Sequence, residues 1–239
     1  MKKAFQKIFN FLGYQISRVD KKKVKNFDTI HKKIFKNRKV KVIDIGANTG
    51  QSIIRFNKIL NLEKIYSIEP SPIAFEQLYK NFKEKKNIKL FNFAIGRTKG
   101  ISTFYDYNKN VLSSFNKLNN ENKSNFKYKK NKVKVLTLDD FCKSNKISKI
   151  NILKIDTQGN EINILKGAAK SLKKGLFELV ELEIILGNYY EKYSNFYSYE
   201  KYLSYRYRLI ATDKRLNFFN DKRMYCNILY IRDDLYEKI

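Results

Sequence analysis

A short apolar run that stops at a glycine-bearing turn constrains the fold of this chain more than any other stretch. Residues 40–45 are Val-Lys-Val-Ile-Asp-Ile, and β-branched residues in so short a run favour a buried strand. Gly46 and Gly50 bound the turn that follows. Apolar residues then recur at helical spacing: Ile53, Ile54, Phe56, Ile59 and Leu60. The pattern predicts a strand, a turn and a helix in that order.

This turn and the segment after it predict a nucleotide site. Glycine permits positive φ angles and lets a ligand approach the backbone closely. The helix after the turn begins with free N–H groups. A second apolar run, residues 65–68, ends at Glu69. In a nucleotide-binding βαβ unit, the acid that holds the ribose hydroxyls lies at this place, roughly 20 residues beyond the turn.

The residues of the turn favour S-adenosylmethionine over a dinucleotide. Asn48 stands where the fingerprint G-x-G-x-x-G/A has its second glycine, and Asp44 precedes the first glycine by two residues. A carboxylate is a poor neighbour for a pyrophosphate, but it suits the ammonium and sulfonium groups of S-adenosylmethionine. We therefore rank an S-adenosylmethionine site above the dinucleotide site of an oxidoreductase.

Three blocks of the sequence resemble the FkbM-type family of S-adenosylmethionine-dependent methyltransferases. They are DIGANTG at 44–50, EP at 69–70 and LKIDTQGNE at 153–161. Many class I methyltransferases share the first block, whereas the third, followed by LKGA at 165–168, is typical of this family. The resemblance runs from about residue 40 to about residue 231.

The resemblance implies a Rossmann-like α/β fold of the class I methyltransferase type. Such a fold has a mostly parallel sheet with helices on both faces, and here the C-terminal strands predict an antiparallel pair. We divide the chain into an N-terminal helical extension, residues 1–38, and a methyltransferase domain, residues 39–239. The sequence predicts a third strand over residues 88–94, and the resemblance implies that adenine lies against the end of this strand, near residues 93–95. The expected cofactor-binding residues are Asp44, Gly46, Asn48, Gly50, Glu69 and Ala94.

Asp156 is the candidate catalytic residue. It follows a predicted buried strand, as Glu69 does, and ligands of open α/β sheets bind outside the carboxyl ends of the strands. Asp44, at the end of the first strand, should converge with them on one cleft. Asp156 would orient a substrate hydroxyl, accept its proton or hold a divalent metal. The alternative is that it only caps the following helix, and the need for a metal stays open.

Two further residues are substrate candidates. Ser114 lies in residues 108–131, whose polar, lysine-rich composition predicts a mobile loop or lid. Glu183 lies on the predicted fifth strand, residues 179–184. The alternatives are an ordinary loop serine and a solvent-facing glutamate. His31 falls in a predicted helix, where we expect an exposed residue without a catalytic function.

The net charge of +27 leaves the class of partner open. Such a charge favours nucleic acid, anionic lipid or anionic sugar, but a lysine excess with abundant Asn, Ile, Tyr and Phe is also what an AT-rich genome encodes. In residues 1–13, apolar positions at helical spacing flanked by lysines predict a weakly membrane-bound helix or one packed on its own domain. We find no transmembrane stretch or signal peptide. We therefore expect a cytoplasmic protein, at the inner face of the membrane if that helix binds lipid, with two reduced thiols.

Three functions follow from these features. The first, which the resemblance implies, is methylation of a hydroxyl on a saccharide, glycolipid or related metabolite. The second is an RNA methyltransferase, acting on ribose or base, that uses the basic surface. Asp156 is followed by Thr-Gln-Gly, however, and not by the Pro-Pro-aromatic turn of enzymes that methylate base amines. The third is a non-catalytic nucleotide-binding module of the same fold. The oligomeric state stays open.

Overall fold

The structure is a computed structural model, and it describes residues 26–119, 126–187, 190–191, 194–213, 217–219 and 222–237. The predicted helix within residues 1–13 lies outside this part of the chain. Its packing, and the predicted domain boundary at residue 38, therefore stay predictions.

Helices and strands alternate along most of the described chain. The helices are α1 Phe27–Ile34, α2 Gln51–Ile59, α3 Pro72–Phe82, α4 Leu138–Ser144, α5 Glu161–Gly167, α6 Ala169–Lys173, α7 Phe196–Leu203 and α8 Asp233–Tyr236, with a 3-10 turn at Asn110–Leu112. The strands are β1 Lys39–Ile45, β2 Asn61–Ile68, β3 Ile88–Phe91, β4 Ala94–Ile95, β5 Gly100–Tyr107, β6 Tyr128–Leu136, β7 Ile150–Ile155, β8 Phe177–Ile185, β9 Tyr207–Thr212, β10 Asn217–Phe219 and β11 Lys222–Arg232.

The main sheet has the order β10-β11-β8-β7-β1-β2-β3, with β9 also beside β11. Strands β3, β2, β1, β7 and β8 are parallel to one another. Strand β11 runs antiparallel to β8, β9 and β10. The α/β fold with a mostly parallel sheet and antiparallel C-terminal strands is confirmed.

Helices cover both faces of β1, which explains why its sequence is apolar on both. Ile43 and Ile45 pack with apolar residues of α4 to α7. Val40 and Val42 point to the other face and pack with residues of α1, α2 and α3. A strand buried on both faces is a near-continuous apolar run rather than an alternating one.

A small second sheet, of order β4-β6-β5, stands beside the main one and corrects two predictions. The third strand does not run through residues 88–94, because β3 ends at Phe91 and Ala94 pairs with Val135 of β6. Between the two strands, the Asn92 side chain donates to the carbonyl of Glu69 at 2.9 Å, which turns the chain away. The predicted loop 108–131 also extends too far in the C-terminal direction, because β6 already begins at Tyr128.

His31 is buried, so the prediction of an exposed histidine is wrong. Its ring centroid lies 6.0 Å from that of Phe56, because α1 packs against α2 over the main sheet. Its Nε2 lies 3.5 Å from Glu181. Burial lowers the pKa of His31 to about 4.

Two further predictions concern the state of the cysteines and the presence of a membrane-spanning helix. Cys142 and Cys226 are buried free thiols, as predicted. Within the described ranges, each helix is too short or too polar to cross a bilayer.

Candidate functional site

A cleft of about 870 Å³ lies at the carboxyl ends of β1, β2, β7 and β8. Its size falls within the range of ligand sites, about 300–1,000 Å³. Six of the predicted site residues line it: Gly46, Asn48, Glu69, Ala94, Asp156 and Glu183. The remaining three, Asp44, Gly50 and Ser114, are not among its lining residues.

The turn after β1 has the backbone that its glycines predict. The φ angles are 85° at Gly46, 48° at Asn48 and 102° at Gly50. The space beside each glycine is filled by protein, however. A Cβ on Gly46 would lie 1.8 Å from the carbonyl oxygen of Asp156, and one on Gly50 would lie 2.3 Å from the ring of Phe82. Close packing, and not ligand approach alone, therefore explains both glycines.

Glu69 holds the turn in place at the end of β2. One carboxylate oxygen accepts the N–H of Asn48 at 2.8 Å, and the other accepts the N–H of Ser71 at 2.8 Å. Burial raises the pKa of Glu69 to about 7. A carboxylate oxygen has two lone pairs, so each oxygen retains one for a hydroxyl in the cleft.

Two of the three predicted adenine neighbours line the cleft, and the third does not. Ala94 and Ile95 line the cleft beside Glu69. The carbonyl of Ile95 accepts a hydrogen bond from the Asn160 side chain at 3.0 Å, which ties β4 to the turn before α5. Phe93 is not a lining residue; its ring packs against Phe91 and Phe141. This end of the cleft is thus small, apolar and rigidly held.

A row of charged residues crosses three neighbouring strands at the cleft. Asp44 of β1 lies opposite Lys154 of β7, which lies opposite Glu181 of β8. The Nζ of Lys154 is 3.5 Å from Asp44 Oδ1 and 3.2 Å from Asp156 Oδ2. Lys154 and Glu181 line the cleft, whereas Asp44 is fully buried beside it. The expected contact of Asp44 with the cofactor stays a prediction.

The protonation of this row follows from burial and pairing. Burial raises the pKa of Asp44, against the opposing attraction of Lys154. Burial alone would lower the pKa of Lys154, but the carboxylates of Asp156, Asp44 and Glu181 hold it above its usual value. Lys154 is therefore a permanent cation among acids, rather than a base.

Asp156 and Glu183 face the cleft together, joined by one amide. The Nε2 of Gln158 donates to Asp156 Oδ1 at 3.0 Å and to Glu183 Oε1 at 2.6 Å. Burial, followed by the negative charge of Asp156, raises the pKa of Glu183 well above its usual value. The Asp156 side chain retains 34% of its exposure. The pair thus presents two carboxyl groups to the cleft, one of which, Glu183, is held towards its neutral form.

Asp156 does not cap the helix that follows it, because its carboxylate bonds to other side chains and Glu161 binds the backbone of the turn. Glu161 accepts the N–H of Thr157 at 2.9 Å and that of Gly159 at 3.0 Å. Glu161 thereby fixes the backbone of the turn. The Asp156 carboxylate is bonded to the side chains of Lys154 and Gln158 instead.

Ser114 is a buried support of that same turn. Its Oγ donates to the carbonyl of Gln158 at 2.6 Å and accepts the N–H of Asn116 at 3.1 Å. Ser114 does not line the cleft, and its expected contact with the substrate stays a prediction. The neighbouring Ser113 does line the cleft, and it donates to Asp106 at 3.0 Å.

Sequence reasoning missed the far end of the cleft, where α1 meets the sheet. Arg55 of α2 binds Asp28 at 2.7 Å and Glu181 at 2.5 Å. In the sequence, Arg55 is only a polar position within an amphipathic helix. Carboxylates outnumber cations among the lining side chains, with Asp28, Glu69, Asp156, Glu181, Glu183 and Asp213 against Arg55 and Lys154.

Comparisons with known proteins point to one family. The methyltransferase FkbM domain model matches residues 44–209. The 2-O-methyltransferase NoeI of Sinorhizobium fredii is 25% identical over 157 residues, which are 59% of this chain and 62% of that protein. The hexuronic acid methyltransferase AglP of Haloferax volcanii is 22% identical over 140 residues, 58% of this chain and 54% of that protein.

The chain therefore spans less than two thirds of the length of either relative. Among solved structures, methyltransferase FkbM of Methylobacillus flagellatus matches with a TM-score of 0.49 and 16% identity, covering 81% of this chain and 43% of that one.

Proposed function

The chain belongs to the FkbM methyltransferase family, and we propose that it transfers a methyl group from S-adenosylmethionine to a hydroxyl group of a saccharide. The observation that carries the proposal is the convergence of Glu69, Asp156 and Glu183 on one cleft. In this proposal Glu69 binds the ribose hydroxyls of the cofactor, and Asp156 and Glu183 lie where the acceptor hydroxyl would bind. Two relatives support this acceptor: NoeI is a 2-O-methyltransferase, and AglP is a hexuronic acid methyltransferase.

The donor set of the cleft fits S-adenosylmethionine, which when bound supplies an electrophilic methyl group. The lone pairs left on Glu69 suit the ribose hydroxyls, and the apolar Ala94 and Ile95 suit the adenine. The excess of carboxylates suits the positive charge of a sulfonium. Gly46 and Asn48 contribute backbone at the turn between these groups.

We assign the acceptor hydroxyl to Asp156. The Lys154 ammonium and the Gln158 amide fix the two carboxylate oxygens from behind, so the carboxylate can accept a hydrogen bond in one orientation. Alignment of the acceptor oxygen with the methyl carbon contributes most to such a reaction, and base help contributes less. The hydroxyl proton passes to the Asp156 carboxylate as the C–O bond forms and leaves from there to solvent, since the Asp156 side chain is 34% exposed.

A saccharide is favoured over RNA by the charge of the cleft. The lining carboxylates would repel the phosphates of a polynucleotide at the point of reaction, whereas sugar hydroxyls donate hydrogen bonds to them. A divalent metal is also not needed to hold Asp156, because Lys154 already supplies a cation 3.2 Å from its Oδ2. We therefore propose a metal-independent reaction on a saccharide.

Calorimetry with S-adenosylmethionine tests the cofactor. We expect binding by the wild-type protein and no binding of NAD. Binding by Glu69→Gln should be at least about tenfold weaker, because an amide NH2 cannot accept the N–H of Asn48 or Ser71 as a carboxylate oxygen does. Glu76→Gln is the matched control, since Glu76 is an exposed residue of α3. Binding of NAD alone, or equal effects of both substitutions, contradicts the assignment of this end of the cleft.

Transfer of a labelled methyl group to a panel of neutral and charged oligosaccharides tests the reaction. We expect Asp156→Asn to lower kcat by about 10²–10⁴-fold while S-adenosylmethionine still binds. Activity should persist in EDTA. If no saccharide is methylated and structured RNA is, the RNA alternative is correct. If the cofactor binds and neither class is methylated, the non-catalytic alternative is favoured.

A further inference from the structure

We propose that the small sheet carries a docking surface for anionic membranes. This surface, the outer hairpin face, is the solvent side of β5 and β6. It comprises Ile101, Thr103, Tyr105, Lys130, Lys132 and Lys134. The proposal concerns where the protein works, and it stands apart from the reaction proposed for the cleft.

The register of the two strands builds this face. Ile101 pairs with Lys134, Thr103 with Lys132, and Tyr105 with Lys130. Directly opposed residues of an antiparallel pair point to the same side of the sheet. Three lysines of β6 therefore form a row beside a parallel row of Ile101, Thr103 and Tyr105 on β5. The alternate side chains point inwards and form a small core: Phe104, Val133 and Val135.

Within the described part of the chain, no acid compensates the positive charge of this face. Asp106 is the only acid in β5 and β6. It is buried, and its carboxylate accepts hydrogen bonds from the side chains of Ser71, Ser113 and Asn131. Lys130, Lys132 and Lys134 form no ion pair with a carboxylate of the described residues. Elsewhere on the surface, lysines such as Lys41 and Lys149 are paired with glutamates.

Apolar and aromatic side chains are interleaved with these lysines. Ile101 is 76% exposed and Tyr128 is 39% exposed. The Nζ of Lys117 lies 5.5 Å from the centroid of the Tyr105 ring, and the rings of Tyr105 and Tyr128 meet edge to face at 5.4 Å. Lysine ammonium groups, tyrosine rings and exposed aliphatic side chains together are typical of surfaces that bind the headgroup region of anionic bilayers.

A shallow depression lies within the face. It has a volume of about 310 Å³ and is lined by Thr103, Tyr105, Lys130, Asn131 and Lys132. Two ammonium groups beside a hydroxyl are donors for a phosphate. A phospholipid headgroup is thus a suitable occupant, and the adjacent Ile101 is placed to enter the acyl boundary.

A membrane is favoured over a nucleic acid by the apolar part of the face. Ile101 gains nothing from a phosphate backbone, and the Tyr105 and Tyr128 rings pack edge to face with each other instead of presenting parallel stacking platforms for bases. The inner side of the same hairpin contributes Phe104 to the cleft. Docking would therefore hold the cleft next to the bilayer surface.

Vesicle co-sedimentation of the full chain tests this proposal. The probes are phosphatidylcholine vesicles without and with about 30% phosphatidylglycerol, an anionic lipid. The hairpin variant is Lys130→Gln, Lys132→Gln and Lys134→Gln together. The control variant is Lys80→Gln, Lys85→Gln and Lys86→Gln, three exposed lysines at or after the end of α3, which changes the net charge equally. Circular dichroism checks that both variants fold.

We expect binding only to the anionic vesicles, weakened about a hundredfold in the hairpin variant and much less in the control variant. Ile101→Ser should weaken binding further without any change in charge. If the two triple variants lose vesicle affinity equally, net charge alone explains the binding, and the proposal is overturned. Failure of the wild-type protein to bind anionic vesicles overturns it too, as does tighter hairpin-dependent binding to single-stranded RNA at the same salt concentration.

Discussion

Gly46 packs against the backbone of Asp156 so closely that a Cβ on Gly46 would lie 1.8 Å from the Asp156 carbonyl oxygen. The N–H of Asp156 in turn donates to the carbonyl of Ile45 at 3.0 Å. The turn at the proposed cofactor end and the strand end at the proposed acceptor end are therefore one rigid unit. Their relative position is set by main-chain contacts, which side-chain substitutions elsewhere do not loosen.

We expect Gly46→Ala to destabilise the protein by about 3 kcal/mol or more, since it combines overpacking with a left-handed backbone. The measurement is the free energy of unfolding in urea. Gly100→Ala is the matched control, because Gly100 has a φ of 155° but no heavy atom within 4 Å of its Cβ position. Equal destabilisation by the two substitutions would mean that backbone conformation, and not the contact with Asp156, requires the glycine.

The sequence predicted the positions of these residues better than their contacts. Apolar runs located β1, β2 and β7, and topology then brought Glu69 and Asp156 to one cleft. The burial of Asp44 depends on its register with Lys154, which is 110 residues away and which no local pattern encodes. The burial of His31 likewise follows from the packing of α1 on α2. The burial of Ser114 follows from a tertiary contact between its loop and the carbonyl of Gln158.

Lys154→Met tests the charged row. The substitution leaves the Asp44 carboxylate buried without its cation, and we expect a loss of about 3–5 kcal/mol near neutral pH. The double variant with Asp44→Asn should recover about half of that loss, because the charge is removed with its partner. Denaturant unfolding of the two single variants and the double variant gives the coupling. Additive losses would show that Asp44 and Lys154 do not depend on each other.

The loss in Lys154→Met should also depend on pH. Burial raises the pKa of Asp44, and Lys154 opposes this, so the variant raises that pKa further. A native state that holds a proton above the unfolded pKa loses stability as the pH rises. The deficit should therefore be smaller at about pH 5 than at about pH 8. A deficit that is constant with pH contradicts a buried, unpaired Asp44.

His31 should make the protein sensitive to acid. Its pKa is lowered from 6.5 to about 4 by burial, so between these values the unfolded chain binds a proton that the native state does not. Stability then falls as the pH falls through this window, by up to about 3 kcal/mol from this one group. Denaturant unfolding as a function of pH measures it. His31→Leu should flatten this part of the profile, and an unchanged slope would mean that other groups cause it.

The charge of the acceptor follows from the lining of the cleft. Asp156 and Glu183 are held together by Gln158, and a uronic acid would place a second carboxylate beside that of Asp156. We expect kcat/KM for a neutral saccharide to exceed that for the matching uronic acid by about tenfold, a ratio that shrinks at high salt. Glu183→Gln should change this ratio little, because burial raises the pKa of Glu183 and favours its neutral form. A preference for the uronic acid in the wild-type protein would instead mean that Arg55 or Lys154 leaves its carboxylate partners to bind the substrate.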